Sequence, residues 1–359
     1  MLWPRAILHL DMDAFFVNVH LLSHPEDRGI PLAIGGRPEQ RGVVASASYE
    51  ARAYGIRSAM PMKTAVRLYR DLKIVPARWD AIRASSREVM NILREVGRTE
   101  QISVDEAFVD LSAVDDPANA AIALQARVKQ ETNLPCSVGL GTSKLIAKVA
   151  SDYDKPEGCT IVAAGDEADF LAPLSVRVIW GIGKVTAERL DELGVTTCAE
   201  LVALPLARLQ ATFGNQAEAM QRRARGHDPR EVNDQPGIAK SISQEWTFTQ
   251  DIGDEELLAT KLGEMCEQVS ESLQRKRLVA RTVTIKFRWA DFTTLTRQRS
   301  VIRPISKPDD LFNLAHDIWR KHWPPGRPMR LLGVGVSNIE PADQLRQLMF
   351  DFIEDEGGR

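Results

Sequence analysis

The sequence predicts an α+β chain of more than one domain, and three observations carry this. Its 359 residues exceed what one packing unit of about 100–200 residues usually holds. Strand and helix signals intermingle up to about residue 165, give way to short helices from Leu171 to about Val232, and return as a β-α-β-β-α-β order. A hydrophobic fraction of 44%, a charged fraction of 26%, 23 Gly and 19 Pro are those of an ordinary globular protein, which excludes collagen-like, low-complexity and largely disordered chains.

The elements follow from local pattern. RAILHLDMDAFF reads as a strand leading into a helix, because Ile7, Leu8 and Leu10 are strand formers and helical spacing begins after Asp13. IPLAIGG is a second strand; GVVASASYEARAYG passes from strand to helix, and Pro61 suits the first turn of PMKTAVRLYRDL. SSREVMNILREVG is an amphipathic helix, EQISVDEAFVDLS two short strands interrupted by acids, NAAIALQARVKQET a helix and CSVGLGTS a strand. VIWGIGKVTAERLDELGVTTCAEL has the form of two helices joined by a Gly-hinged hairpin, and VNDQPGIAKS is a linker. After it come a strand, the long helix EELLATKLGEMCEQVSESLQRK, two strands, the helix DDLFNLAHDIWRKHW and a last strand.

Lys plus Arg 46 against Asp plus Glu 49 leaves a formal net charge of −3, so only the local distribution of charge informs. Nine basic residues stand between Arg275 and Arg303 against Asp291 alone, mostly in or beside strands with period-two alternation. The expectation is a sheet with one apolar and one basic face, equally a solvated surface and a phosphate-tracking one. Glu100 to Asp116, by contrast, holds six acids and no base. Cys136, Cys159, Cys198 and Cys266 show no CxxC spacing, so reduced thiols are expected rather than a disulfide framework or zinc site. No stretch is apolar enough for a membrane helix, and the acids at Asp11 and Asp13 come too early for a secretory signal; a cytoplasmic protein without membrane contact is expected.

Asp11 ends the first strand, and Asp105 with Glu106 lies between two later ones, so one sheet edge can collect three carboxylates. Hard divalent cations take oxygen ligands, and a pair of them suits phosphoryl displacement. Singly, Asp11 or Asp13 reads as a helix cap and Asp105 or Glu106 as a turn residue. Together, DMDAFF (11–16), ASYEAR and GIRSAMP (47–61), SVDEAF (103–108), VGLGTSKLIAKVASDYDKPEG (138–158) and WGIGKVTAERLDELGV (180–195) resemble, in order, a Y-family translesion DNA polymerase of the DNA polymerase IV-like branch.

That resemblance implies a right-hand polymerase: palm at 1–20 and 77–168, small fingers at 21–76, helical thumb with a helix-hairpin-helix at 169–232, linker 233–240, βαββαβ-type little finger 241–341 and tail 342–359. It implies Asp11, Asp105, Glu106 and the Met12 carbonyl as ligands of two Mg²⁺ ions, Asp105 and Glu106 being the catalytic pair. Phe16 takes the place of the steric gate against ribonucleotides, and Ser46, Tyr49, Arg52 and Lys155 those of the triphosphate contacts. Arg suits that role through its planar fork. Val43, Ala45 and Ala59 match the roof over the templating pair. Gly181, Gly183 and Lys184 would meet a DNA phosphate, as would Lys240, Ser241, Ser243, Arg297 and Arg299. The tail residues Gln347, Leu348, Phe350 and Phe352 are similar to clamp-binding peptides, which implies a sliding clamp as partner beside primer-template DNA and dNTP, for a monomeric enzyme. His20 and Val17 depart from the pattern, standing where an acid and Ala are common.

Two other classes remain open at this level. A nucleotidyl cyclase uses similar carboxylates without template, and the hairpin and the basic strands speak against it. A noncatalytic DNA-binding scaffold keeps the fold without the reaction, and the intact carboxylates speak against that.

Overall fold

The computed structural model describes residues 3–235 and 237–343. The chain divides into two compact units, residues 38–42 grouping with the second although the sequence places them inside the fingers. The clamp-peptide residues Gln347, Leu348, Phe350 and Phe352 lie outside the described residues.

The first unit is built on β1 (Ile7–Met12), buried along its whole length. It is followed by α1 (Phe15–Ser23), β2 (Leu32–Gly35), β3 (Val44–Ala47), α2 (Tyr49–Ala53), α3 (Met62–Leu68), β4 (Lys73–Val75), α4 (Trp79–Val96), β5 (Arg98–Gln101), β6 (Glu106–Asp110), α5 (Pro117–Thr132), β7 (Cys136–Gly141), α6 (Lys144–Tyr153) and β8 (Cys159–Ile161). Strand order β5-β6-β1-β7-β8 makes β1 central, antiparallel to both neighbours. Its alternation splits two environments: Leu8, Leu10 and Met12 enter a core with Ile82, Val89 and Leu93 of α4 and Leu124 and Val128 of α5. Ile7 turns to the opposite face and packs with Phe108 and Ala147 of α6.

The α6 helix lies hard against that second face because β7 has glycine there. A Cβ on Gly139 would stand 2.1 Å from the Ala147 carbonyl oxygen and 2.3 Å from the Ser151 nitrogen. A smaller sheet has the order β3-β2-β4. Ser48 caps α2, its Oγ accepting from the Ala51 N–H at 3.2 Å, so Tyr49 and Arg52 emerge from the first turn. Pro61 stands one residue outside α3 as its cap, its carbonyl accepting from Thr64 and Ala65.

The helical segment comprises α7 (Glu167–Leu171), α8 (Lys184–Asp191), α9 (Cys198–Ala203), α10 (Leu206–Phe213) and α11 (Gln216–Ala224). The Gly181–Gly183 turn joins α8 to a single 3₁₀ turn at Val176–Val178, and the two full helices of the expected hairpin are α8 and α9, joined across Gly194 at φ +76°. Too few residues separate Ser175 from Ile179 for a second α-helix; both ends are extended.

The second unit contains β9 (Ser241–Ile252), α12 (Glu255–Arg275), β10 (Leu278–Trp289), β11 (Thr294–Ile305), α13 (Pro308–His322) and β12 (Met329–Pro341), with strand order β11-β10-β12-β9. Both helices cover one face, burying Val283, Ile285, Phe287 and Trp289 against Leu262, Leu311 and Trp319. The register corrects the expectation of a uniformly basic opposite face. Arg299 pairs with Val283 and Arg297 with Ile285, so both arginines lie on the helix-side register of edge strand β11, where Arg299 reaches Asp317 of α13 at 3.7 Å. The open face instead carries Lys286 and Arg288 among Ser243, Thr284, Thr296, Gly333 and Gly335. Within β11, Arg297 and Arg299 alternate in phase with Leu295, and pairing of Leu295 with Phe287 puts that phase on the helix side.

The cysteines are free thiols, three of them buried. Among the described residues no helix is long and apolar enough to cross a membrane. Gly139→Ala is expected to lower stability by about 2–3 kcal/mol, since backbone of α6 rather than a movable side chain blocks the added methyl; urea unfolding of the two proteins measures it.

Candidate active site

Residue pairing places the acids. Asp11 lies opposite Glu106 on one side and Ser137 on the other, and the Met12 N–H donates to the Asp105 carbonyl at 3.0 Å. The backbone of Asp11, Asp105 and Glu106 therefore comes together where β1 and β6 meet. Ser103 Oγ donates to Asp105 at 2.5 Å and accepts the Glu106 N–H at 2.9 Å, shaping the turn that presents them.

Lysines answer these charges. Lys155 Nζ stands 2.7 Å from Asp11 and from Asp152, and Lys148 Nζ 3.0 Å from Glu106. A metal site of three converged acids was expected; among the described residues no group of three acidic, His or Cys side chains is gathered closely enough to hold an ion as it stands. The lysine partners offset the charge of Asp11 and Glu106 at this half-buried edge. The donor set itself, carboxylate and carbonyl oxygens, is what a hard divalent cation takes.

Titration follows this arrangement. Burial, only partly offset by Lys155, pushes the Asp11 carboxyl up to about 7, with Glu106 across the strand adding to the rise. Burial also works against ionised Glu106, but its hydrogen bond with Asp11 and the Lys148 ammonium outweigh that and hold it below the usual range. Lys155 is raised despite burial because Asp11 is beside it.

One cavity of about 140 Å³ is lined by Asp11, Met12, Phe16, Ser46, Tyr49, Arg52, Asp105 and Lys155. The Arg52 guanidinium lies 4.6 Å from the Tyr49 ring centroid and donates from Nε to the Ala47 carbonyl at 3.1 Å, so the shared helical face is realised. Burial, and next Asp13, push the Tyr49 hydroxyl up to about 12. Phe16 meets Trp79 edge-on at 5.4 Å. Val17 is turned away into the Leu32–Ile34 cluster, and buried His20 pairs with Asp27 at 2.7 Å. Ala45 lines the cavity; Val43 and Ala59 are exposed beside it.

Elsewhere the sequence candidates disperse. Gly181 has φ +102°, a conformation suited to glycine, and with Gly183 and Lys184 it is exposed at the start of α8. In the second unit, Ser241 and Ser243 share the open face, and Lys240 is exposed just before it.

Sequence reasoning missed a stripe on α6. Lys144 meets Glu100 at 2.7 Å, Lys148 meets Glu106, Ser151 Oγ lies 2.7 Å from His9 Nδ1, and Lys155 beyond the helix end meets Asp11. The i, i+4, i+7 spacing of these residues was the available signal. Burial holds His9 down at about 3, so it stays neutral between the lysines.

With this geometry in view, comparison with known proteins defines the class. The impB/mucB/samB family matches residues 10–152, its C-terminal domain residues 239–350, and a thumb domain described for DNA polymerase-iota residues 178–228. A DNA polymerase IV from Halorhodospira halophila is 38% identical over 353 residues, 97% of this chain and 99% of that protein. One from Methanoculleus marisnigri is 40% identical over 343 residues, 94% and 95% of the two chains. The chain belongs to the impB/mucB/samB family, the Y-family DNA polymerases, and lies among relatives that carry the name DNA polymerase IV. The fold agrees: a Y-family DNA polymerase chimera superposes with TM-score 0.83 at 23% identity, covering 94% of this chain and 99% of its own, and a Dbh DNA polymerase in an insertion ternary complex with TM-score 0.67 at 24%, over the same shares.

A proton on Asp11 competes with any cation there, so Mn²⁺ affinity measured by electron paramagnetic resonance should rise about fivefold between pH 6 and 7 and level off by about pH 8. Asp11→Asn should bind weakly and without that pH dependence.

Proposed function

We propose that the protein is a template-directed DNA polymerase of the DNA polymerase IV type, adding deoxynucleotides to a primer 3′ end at low fidelity, across damaged template, and without proofreading. The observation that carries this is the single cavity in which the Asp11–Asp105 edge meets Tyr49, Arg52, Lys155 and the Phe16 ring. It brings together oxygen donors, cations for a triphosphate and an aromatic ring for a sugar.

Asp11, Asp105, Glu106 and the Met12 carbonyl would hold two Mg²⁺ ions, whose charge eases both attack by the primer hydroxyl and departure of pyrophosphate. Lys155 and Arg52 bind phosphate oxygens, Lys155 leaving Asp11 to do so, while Ser46 and the Tyr49 hydroxyl orient the same group. Phe16, backed by Trp79, excludes a 2′ hydroxyl. The palm is assigned to 1–20 and 77–168, fingers to 21–76, thumb to 169–232 and little finger to 241–341. Gly181, Gly183 and Lys184 contact a DNA phosphate, as do Lys240, Ser241 and Ser243. Arg297 and Arg299 do so from the edge strand rather than from an open basic face. The tail segment with Gln347, Leu348, Phe350 and Phe352 engages a sliding clamp, and the enzyme acts as a monomer in the cytoplasm.

Single-nucleotide primer extension with Mg²⁺ tests the reading. Wild type should extend, Asp105→Ala should lose at least about 10³-fold in rate while still binding primer-template, and Phe16→Ala should gain about 10²-fold in ribonucleotide use. No extension by wild type on any primer-template would reject it. The Arg297→Ala/Arg299→Ala double variant should bind DNA more weakly, with the log–log salt slope shallower by about 2, one phosphate per arginine.

A further inference from the structure

We infer that Asp13 is a positioning residue for nucleotide binding, tying the Tyr49 hydroxyl and the backbone just past Lys155 to strand β7. The inference deepens the reading above and rests on its assignment of Tyr49 and Lys155 to the triphosphate. Asp13 is 2% exposed, although a carboxylate at a strand end ordinarily faces water. Its Oδ1 accepts from the Tyr49 hydroxyl at 3.2 Å and its Oδ2 from the Glu157 N–H at 2.8 Å. Ser137 Oγ stands 3.0 Å from both oxygens and itself accepts the Gly158 N–H at 3.3 Å.

Three chain segments thus converge on one side chain. Tyr49 belongs to α2, Ser137 to β7, and Glu157 follows Lys155 by two residues. Asp11 and Asp13 differ in task despite their spacing. Both border the cavity, but Asp11 meets the Lys155 ammonium there, whereas Asp13 turns to Tyr49, Ser137 and the Glu157 N–H and is followed by Ala14 in the left-handed region at φ 42°, a costly conformation for alanine that turns the chain into α1. Losing the carboxylate leaves buried donors unmet at two places that bear on nucleotide rather than on the acids.

The test measures dNTP affinity on a dideoxy-terminated primer-template, single-turnover rate at saturating dNTP, and melting temperature. Asp13→Asn should raise the dNTP Kd about tenfold or more, with the saturated rate reduced less than about threefold. Ser137→Ala, one hydrogen bond behind the cavity through Asp13, should raise Kd about threefold and keeps the test available if Asp13→Asn does not fold. In the Tyr49→Phe background, Asp13→Asn should cost less in Kd than it does alone. Unchanged Kd in folded Asp13→Asn or Ser137→Ala overturns the inference, as does a parallel fall of affinity and rate that tracks lost melting temperature. Wild type that neither binds nor adds nucleotide would instead mark failure of the site assignment itself.

Discussion

The packing of α6 against the face of β1 and β7 is the constraint from which the candidate site follows. Glycine at 139 allows helix backbone to approach within the space a methyl would occupy, and the helix then delivers Lys148 and Ser151 onto the polar positions of the sheet. The strand cannot slide to escape them. It is paired on both sides and buries Leu8, Leu10 and Met12 on its other face, so a one-residue slip would drive Asp11 into an apolar core.

Charge balance at that edge explains how so acidic a cluster coexists with a stable fold. Removing one partner of a half-buried ion pair costs more than the pair contributes, because the remaining charge stays in a poorly solvated place. Lys144–Glu100, Lys148–Glu106 and Lys155–Asp11 each meet this condition to a degree, and neutral His9 between them adds no further charge. The same pairing keeps the acids available. An ammonium on a carboxylate can exchange for a divalent cation or a phosphate, whereas an apolar replacement could not.

In the second unit the same logic runs in a sheet covered on one side. Helices α12 and α13 settle which face is core, and the open face keeps hydroxyls, Lys286 and Arg288 around Gly333 and Gly335, over which the Glu245, Lys286 and Ser243 side chains close. Arg297 and Arg299 fall outside that face because β11 is an edge strand whose partner residues are the buried Val283 and Ile285.

Much of this was legible in the chain itself. Strand formers located β1, a short apolar run among acids located β6 and period-two alternation located β10; acids at strand ends marked the edge where Asp11 and Glu106 meet, and the three-residue spacing of Tyr49 and Arg52 set them on one helical face. Those are local properties, decided by backbone geometry within a few residues. What the sequence left undetermined depends on contacts between distant segments. That Asp13 turns inward to Tyr49, Ser137 and Glu157, that lysines occupy Asp11 and Glu106, and that two arginines of β11 share a face with buried valine and isoleucine are matters of register and packing across 36 to 144 residues in the first case and of strand pairing in the last. Sequence determined which chemistry each element could offer; tertiary structure decided which groups it would meet, because burial and pairing are set only when the sheet closes around its helices.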